Sequence, residues 1–300
     1  MRVFVTGAGG WIGSAVVPEL IDAGHEVVGL ARSDASAEAI AAAGAVVQRG
    51  SLDDLEGLRS TAAASDGVIH LAFKHDAAFS GDFRAASDAD RQAIETFGAA
   101  LEGSDRPLVI ASGLAGLKPG AVATEEDMPE PDSPAGHRVL SERTALALAG
   151  SGVRSSSVRL APTVHGEGDH GFVAMIVDTA RETGVSGHVG DGANRWPAVH
   201  RRDAARLFRL ALENAPAGSV LHASAEQGVA TRAIAEEIGR QLDAPVASVD
   251  PEHFGWLGGF FAMDIQASSA RTRELLGWAP TEPGLLDDLA EGRYTREPVT

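Results

Sequence analysis

Apolar residues in the first half of the chain follow two alternating spacings. Short runs rich in Val, Ile and Leu predict buried β-strands, and the Ala-rich stretches between them carry apolar residues at helical spacing. The predicted strands are 2–6, 26–31, 45–48, 67–72, 107–112 and 153–160. The predicted helices are about 11–23, 35–43, 53–64, 82–103 and 134–150, the third with a capping box of Asp53 and Glu56. Strands that alternate with helices indicate βαβ units around a parallel sheet.

The alternation ends after residue 160. Residues 163–197 are rich in Gly, His and Asp, which is typical of substrate-binding loops, and they include one predicted helix near 171–184. A helix at 203–214 and a strand near 218–222 predict a return to the sheet, and 226–300 predicts three or four helices. We expect an α/β protein with a Rossmann-type doubly wound parallel sheet and a smaller, mostly helical C-terminal substrate domain. The Rossmann domain would span 1–162 plus about 198–225, and the substrate-binding domain about 163–197 plus 226–300.

Composition narrows the range of functions. The 42 acidic residues exceed the 25 basic ones, so a nucleic acid or an anionic membrane would approach against the protein's own field. Without cysteine the chain has no disulfide and no thiolate nucleophile. The sequence contains no run of 18 apolar residues and no charged leader, which predicts a cytoplasmic protein without a membrane span. The expected partner is a small molecule.

A glycine-rich loop connects the first predicted strand to the first helix. It runs Thr6-Gly7-Ala8-Gly9-Gly10-Trp11-Ile12-Gly13, in the position that a dinucleotide-binding loop requires. Gly7 would permit the tight turn, Gly10 would let the backbone approach a pyrophosphate, and Gly13 would allow close packing of helix and strand. The pyrophosphate would lie at the helix N-terminus. We assign Gly7, Gly9, Gly10, Trp11, Ile12 and Gly13 to a cofactor site.

The end of the second strand determines which dinucleotide binds. An acidic residue there binds the ribose 2′-hydroxyl, whereas an arginine accommodates a 2′-phosphate. Here Ala31 stands in place of the acid, and Arg32 and Ser33 follow. The pattern favours NADP(H) over NAD(H), with a solvated loop arginine as the alternative reading of Arg32. Asp34 would either oppose a phosphate or cap the next helix.

Further motifs accompany the glycine loop: Val68-Ile69-His70-Leu71-Ala72, Ser112-Gly113, residues 159–166 and residues 198–205. With them the chain resembles the extended short-chain dehydrogenase/reductases, the NAD(P)-dependent epimerase/dehydratase-like group, over nearly its whole length. In that family the residues matching Ala72, Ser112 and Pro162 to Val164 line the nicotinamide pocket. We assign to the cofactor site Ser51, Leu52, Leu71, Ala72, Pro162, Thr163 and Val164. The resemblance also implies a homodimer through the helices at 82–103 and 134–150.

The chain departs from the family where the chemistry takes place. Members carry Tyr-x-x-x-Lys on the helix after the fifth strand, the tyrosine as proton-transfer group and the lysine lowering its pKa. The single tyrosine, Tyr294, is far from that helix in sequence. His137 and Arg138 stand there instead, which resembles an atypical subgroup of the family. We take Ser112, His137 and Arg138 as candidate catalytic residues, while His137 as a helix cap or solvent-facing residue is an equal alternative.

Four residues are assigned to substrate binding, namely Lys74, His165, Arg195 and Trp196. His165 stands where the family often has tyrosine, Arg195 could bind a carboxylate or phosphate, and Trp196 could stack on a ring. The alternatives are a loop histidine bonded to backbone and a tryptophan packed in the core. No metal site is predicted, because the potential ligands between His165 and His170 fit no zinc signature.

Together these residues favour an NADP(H)-dependent oxidoreductase that transfers hydride to or from a carbonyl or alcohol carbon of a small metabolite. One alternative is an epimerase or dehydratase that retains its cofactor. Another is a non-catalytic protein that senses NADP(H), which the missing tyrosine and lysine support. Ser112, and a histidine in the tyrosine's place, favour the enzyme.

Overall fold

The computed structural model describes residues 1–79, 81–118, 120–129 and 136–294. Its strands are β1 (Arg2–Thr6), β2 (Glu26–Ala31), β3 (Val46–Arg49), β4 (Gly67–His70), β5 (Pro107–Gly113), β6 (Val122–Ala123), β7 (Arg154–Leu160), β8 (Thr163–His165), β9 (Ser186–Val189), β10 (Arg195–His200), β11 (Ser219–Ala223), β12 (Glu226–Ala230), β13 (Val246–Val249) and β14 (Gln266–Ala267). Its α-helices are α1 (Gly13–Asp22), α2 (Asp34–Ala42), α3 (Leu55–Ala63), α4 (His75–Phe79), α5 (Phe83–Leu101), α6 (Gly136–Ala147), α7 (Phe172–Thr183), α8 (Arg201–Asn214), α9 (Thr231–Leu242), α10 (Gly258–Phe261), α11 (Ala270–Leu276) and α12 (Leu285–Ala290). Two 3₁₀ segments span Leu148–Ser151 and Pro251–Leu257.

The main sheet contains seven parallel strands in the order β11-β7-β5-β4-β1-β2-β3. Val3, Phe4 and Val5 of the interior strand β1 are completely buried. Strands covered on both faces carry continuous apolar runs, which is why the sequence pattern located them. The order of the strands reverses between β1 and β4, and such a reversal opens a crevice at the carboxyl ends of the strands. The predicted α/β class with a Rossmann-type sheet is confirmed.

At two helix N-termini the capping residue lies one position away from the predicted one. Asp54 rather than Asp53 caps α3, because its carboxylate accepts the Gly57 N–H at 3.0 Å. Ser33 rather than Asp34 caps α2 and accepts the Ser36 N–H at 3.2 Å. A side-chain oxygen at either position can satisfy an orphan N–H of the first turn, so neighbouring acids or hydroxyls compete for the cap.

Two apolar cores fill the faces of the main sheet. On one face α1 and α8 pack against the strands, with Leu20 and Phe208 fully buried. On the other face α3 and α5 contribute Leu58, Ile94 and Phe97, the last two from an apolar stripe at helical spacing on α5. The helices on both faces hold the carboxyl edge of the sheet rigid, which is where the candidate site lies.

A third apolar core lies in the second half of the chain, around α7, α9 and residues 254–265. Short strands accompany it, in the order β12-β10-β8 and in the pairs β13-β9 and β14-β6. The prediction of three or four helices after residue 226 missed β12, β13 and β14. These strands have five residues or fewer, and their partners lie far away in the sequence. No helix among the described residues is long and apolar enough to cross a membrane.

Candidate active site

The glycine-rich loop turns sharply between β1 and α1. Gly7 has φ +69°, and a Cβ there would lie 2.8 Å from the Ala72 backbone nitrogen. A Cβ on Gly13 would lie 2.0 Å from the Gly7 carbonyl oxygen, so both positions require glycine. Gly10 is exposed, and a Cβ there would meet only that same oxygen, at 3.2 Å. The loop is therefore packed on its inner side and open at Gly10, as a cradle for a pyrophosphate at a helix N-terminus must be.

Trp11 joins this loop to the segment that follows β7. Its indole Nε1 donates to the Val164 carbonyl at 2.8 Å. The Arg201 guanidinium carbon lies 4.5 Å from the centre of the indole, and the His170 ring contacts the indole edge at a centroid distance of 5.6 Å. Trp11 and Val164, both assigned to the cofactor site from sequence, are thus brought together.

At the β2 and β3 end of the crevice, charged side chains are paired. Arg32 is 72% exposed and lies 3.3 Å from Asp76, so it stands on the surface at the end of β2. The Ser51 hydroxyl accepts the Asp53 N–H at 3.2 Å, and Leu52 is buried. Lys74 pairs with Asp53 at 2.6 Å. This pair lies on the side of Arg32, and the assignment of Lys74 to substrate binding stays a prediction.

A buried polar chain crosses the crevice beneath the loop. The Thr6 hydroxyl lies 2.6 Å from His70 Nδ1 and accepts the Ala72 N–H at 3.2 Å. His70 Nε2 lies 3.2 Å from Asp90 Oδ1. The side chains of Thr6, His70 and Asp90 are almost completely buried. The Asp90 carboxylate can only accept, so His70 Nε2 donates to it, and in the neutral imidazole Nδ1 then accepts from the Thr6 hydroxyl. The chain ties the glycine turn and the end of β4 to α5.

Arg138 lies at the other end of this polar chain. Its guanidinium donates to the Ala111 carbonyl at 2.9 Å and lies 4.2 Å from the centre of the Phe73 ring. Burial opposes ionisation of Asp90, but the Arg138 charge and the His70 hydrogen bond outweigh it, so the pKa of Asp90 is lowered. Asp90 is therefore a buried carboxylate that the Arg138 charge helps to keep ionised. Arg138 is held directly beside the end of β5.

Ser112 follows Ala111 at that strand end and is 9% exposed. His137 begins α6 with Arg138, and its side chain lies outside the described part of the structure. Sequence reasoning missed His75, whose ring contacts Phe73 at a centroid distance of 5.2 Å. Desolvation lowers the pKa of His75, and the Arg138 charge lowers it further. His75 is thus a neutral imidazole near the Arg138 cation at neutral pH.

A buried ion pair anchors α6 to the sheet. Arg159 on β7 contacts both oxygens of Glu142, at 2.9 and 2.8 Å, and both side chains are almost completely inaccessible. Arg159 is also the residue opposite Ser112 in the register of β5 and β7. A bidentate pair fixes direction as well as distance, so the second turn of α6 is held at a defined position against β7.

The structure corrects two predicted substrate contacts. Trp196 is completely buried in the third core, where its Nε1 donates to the Met263 carbonyl at 3.2 Å. His165 is also completely buried, and its Nδ1 lies 2.9 Å from Asp288. Arg195 donates to the Gly228 carbonyl at 3.2 Å. The core alternative therefore holds for Trp196, and the partner of His165 is a carboxylate rather than backbone or substrate.

Tyr294 holds the loop that follows β8. Its hydroxyl accepts the Gly166 N–H at 3.1 Å and donates to Asp169 at 2.9 Å. The other Asp169 oxygen accepts the Gly171 N–H at 2.7 Å. Burial raises the pKa of Asp169 and, together with the Asp169 charge, that of Tyr294. The tyrosine is thus a structural clamp on the loop whose His170 contacts Trp11.

Replacing Tyr294 with phenylalanine should lower the free energy of unfolding by about 1 to 3 kcal/mol, because two partly buried hydrogen bonds are lost. Urea unfolding would measure the change. Ser248→Ala serves as control, since it removes an exposed hydroxyl that donates to the Gly190 carbonyl. Equal stability losses in the two variants would contradict the clamp.

In the described ranges, no three His, Asp or Glu side chains converge as a metal site would require.

The sequence pattern that defines the NAD dependent epimerase/dehydratase family matches residues 3–223. An uncharacterised protein of Schizosaccharomyces pombe is 48% identical, over 98% of this chain and 100% of its own, and one of Saccharomyces cerevisiae is 46% identical over 96% and 98%. A solved dTDP-glucose 4,6-dehydratase from Streptomyces venezuelae, with NAD bound, aligns with 99% of this chain and 97% of its own at a TM-score of 0.80 and 23% identity. That similarity concerns the fold.

Proposed function

Because the chain belongs to the NAD-dependent epimerase/dehydratase family, we propose that it is an NADP(H)-dependent oxidoreductase acting on a carbonyl or alcohol carbon of a small molecule. The proposal rests mainly on one observation: the carboxyl ends of the neighbouring strands β1, β4 and β5 lie at the same edge of the sheet. The glycine loop follows β1, the polar chain leaves β4 at His70, and Ser112 with the adjacent Arg138 contact stands at the end of β5. Ligands of doubly wound sheets bind at such a point.

The residues present suit a dinucleotide. The exposed backbone at Gly10, directly before α1, fits a pyrophosphate. Ala72 and Val164 would line the nicotinamide end of the cofactor, where Val164 is held by the Trp11 indole. Bound there, the nicotinamide supplies or accepts the hydride. The protein's own part is to orient the substrate oxygen and to move one proton.

Three side chains perform that part in our proposal. The Ser112 hydroxyl hydrogen-bonds the substrate oxygen, and His137 exchanges a proton with it. Arg138 supplies the fixed positive charge that the family's lysine provides, since a guanidinium stays protonated at any working pH. Its contacts to Ala111 and Phe73, and its attraction to Asp90, keep that charge beside Ser112.

Arg32 determines the cofactor preference in this proposal. NADPH should bind at least about tenfold more tightly than NADH, because a charge-assisted contact contributes about 1.5 to 3 kcal/mol. Arg32→Ala should remove that preference, as measured by titration of nicotinamide fluorescence. The matched control is Arg49→Ala, which removes another exposed arginine, paired with Asp34 at 2.6 Å.

Asp76 refines this test. Its carboxylate lies 3.3 Å from the Arg32 guanidinium, so it weakens the attraction of that guanidinium for a 2′-phosphate. Asp76→Asn should therefore tighten the binding of NADPH without changing that of NADH. Equal affinity of the parent protein for the two cofactors would contradict the assignment of Arg32.

A screen of carbonyl compounds for NADPH oxidation tests the activity itself. Turnover would support the reductase. NADPH binding without turnover of any compound would favour the sensing alternative, whereas tightly retained cofactor with no net oxidation would favour an epimerase or dehydratase. The homodimer through α5 and α6 and the cytoplasmic location stay predictions.

A further inference from the structure

Arg201 is a charged side chain that the second half of the chain places against the glycine-rich loop. It is the first residue of α8, directly after the strand β10 that pairs with β8. Its guanidinium carbon lies over the Trp11 indole, 4.5 Å from the ring centre, and Trp11 stands between Gly10 and the start of α1. The cation therefore contacts the loop that would hold the cofactor pyrophosphate.

Two contacts fix the position of this side chain. A Cβ on Gly166 would lie 3.3 Å from Arg201 Cγ, so the aliphatic part of the arginine packs against the backbone that follows β8. The Trp11 indole beneath the guanidinium is itself held, because its Nε1 donates to the Val164 carbonyl at 2.8 Å. An arginine that is already packed along its length loses little further freedom when it binds an anion.

The Arg201 side chain is half-buried, and its guanidinium has no hydrogen-bond or ion-pair partner among the residues that the structure describes. Burial lowers the pKa of Arg201, and the neighbouring Arg202 charge lowers it further, but a guanidinium stays protonated in proteins. A partly desolvated cation without a partner costs free energy. A bound anion would recover that cost.

Nearby carboxylates do not satisfy this cation. Three of them act on the Arg201 charge: Glu167, Asp169 and Asp288. Each has a nearer partner, which is the Tyr294 hydroxyl for Asp169, His165 for Asp288 and Arg293 for Glu167. They weaken the attraction of Arg201 for a further anion, but they leave its N–H donors unoccupied.

Resting on the proposed dinucleotide cofactor, we infer that Arg201 is a second anchor for the cofactor pyrophosphate, in addition to the N-terminus of α1. A guanidinium and helix N–H groups are both donors that suit phosphate oxygens. The cofactor is favoured over an anionic substrate, because the residue that Arg201 contacts belongs to the glycine loop itself. Arg201 then strengthens the binding of either dinucleotide, whereas Arg32 determines which one is preferred.

The test measures dinucleotide affinity by titration of nicotinamide fluorescence. Arg201→Met keeps the packed aliphatic stem and removes the charge, so the Kd of NADH and that of NADPH should rise by the same factor, about tenfold. Arg202→Met is the matched control, because it removes the adjacent, exposed charge that lies 3.9 Å from Glu282, and it should leave both Kd values unchanged. Urea unfolding shows that both variants retain the fold.

Two cofactor fragments separate the roles of the two arginines. ADP-ribose contains the pyrophosphate without a 2′-phosphate, and adenosine 2′-monophosphate contains the 2′-phosphate without the pyrophosphate. Measured by competition with NADPH, ADP-ribose should bind about tenfold more weakly to Arg201→Met and unchanged to Arg32→Ala. Adenosine 2′-monophosphate should show the reverse. Added salt should weaken NADPH binding less in Arg201→Met than in the parent, because one ionic contact is missing.

The contrary outcomes are distinct from one another. Equal Kd values for the parent and Arg201→Met, or equal losses in Arg202→Met, would overturn the inference. A rise in the KM of an anionic substrate, with unaltered affinity for both dinucleotides, would also overturn it and assign Arg201 to the substrate. Failure of the parent protein to bind either dinucleotide would instead refute the proposed function.

Discussion

Replacement of Gly10 with valine is expected to abolish dinucleotide binding in a protein that still folds. Gly10 is exposed, and an added Cβ meets only the Gly7 carbonyl oxygen, at 3.2 Å. The valine methyl groups would therefore project from the open side of the loop, into the path of a pyrophosphate. The Kd for NADPH should rise by on the order of 100-fold or more, equivalent to about 2.7 kcal/mol. Fluorescence titration measures the affinity, and urea unfolding shows that the fold is retained.

Two other glycines make this result interpretable. Gly150→Val adds the same bulk at an exposed glycine with open space around it, and should leave the affinity for NADPH unchanged. Gly13→Val should instead damage folding, because its Cβ would lie 2.0 Å from backbone. A folded Gly10→Val protein that binds NADPH like the parent would remove the basis of the cofactor assignment.

The inner strands β1, β2 and β4 of the parallel sheet were predictable because they are buried on both faces. A short apolar run such as Val3 to Val5, in a chain where such runs alternate with helices, indicates a buried parallel strand. The small strands were not predictable in the same way. Gln266–Ala267 is a strand only because it pairs with Val122–Ala123, more than 140 residues earlier, and two residues carry no periodicity.

In the candidate site, local motifs were informative and long-range pairs were not. The glycine loop and the position of Arg138 follow from spacing along the chain. Asp90 left a usable signal, since it is an acid on the face of α5 that also carries Ala93, Ile94 and Phe97, and a polar residue on a buried face needs a partner. His165 left none, because its partner Asp288 lies 123 residues away.

The role of Tyr294 also depends on partners that are distant in the sequence. In the sequence it is only a tyrosine far from the helix that carries the family's catalytic pair. The structure gives it two partly buried hydrogen bonds in the loop that contacts Trp11. Its removal should therefore change stability, although it takes no part in proton transfer.

Replacement of His137 with alanine is expected to lower turnover by about 10²- to 10⁴-fold with little change in the affinity for NADPH. His137 begins the helix that Arg159 and Glu142 anchor against β7, and it stands in the place of the family's tyrosine. If its imidazolium donates the proton during carbonyl reduction, turnover of the parent should fall as pH rises through the range in which a histidine loses its proton. The alanine variant should lack that pH dependence.

Arg138 needs a gentler substitution, because Arg138→Ala would remove the positive charge that lowers the pKa of the buried Asp90 carboxylate, and would thereby destabilise the fold. Arg138→Lys keeps the charge but loses the planar contact on Phe73, so turnover should fall far less than in His137→Ala. Steady-state kinetics with one carbonyl substrate and saturating NADPH would compare the variants. His75→Ala is the matched histidine, since His75 lies near the same cation and its lowered pKa makes it a poor proton donor at neutral pH. Unaltered turnover in His137→Ala, with a loss confined to His75→Ala, would transfer the proton-transfer role to His75 and refute the mechanism proposed for His137.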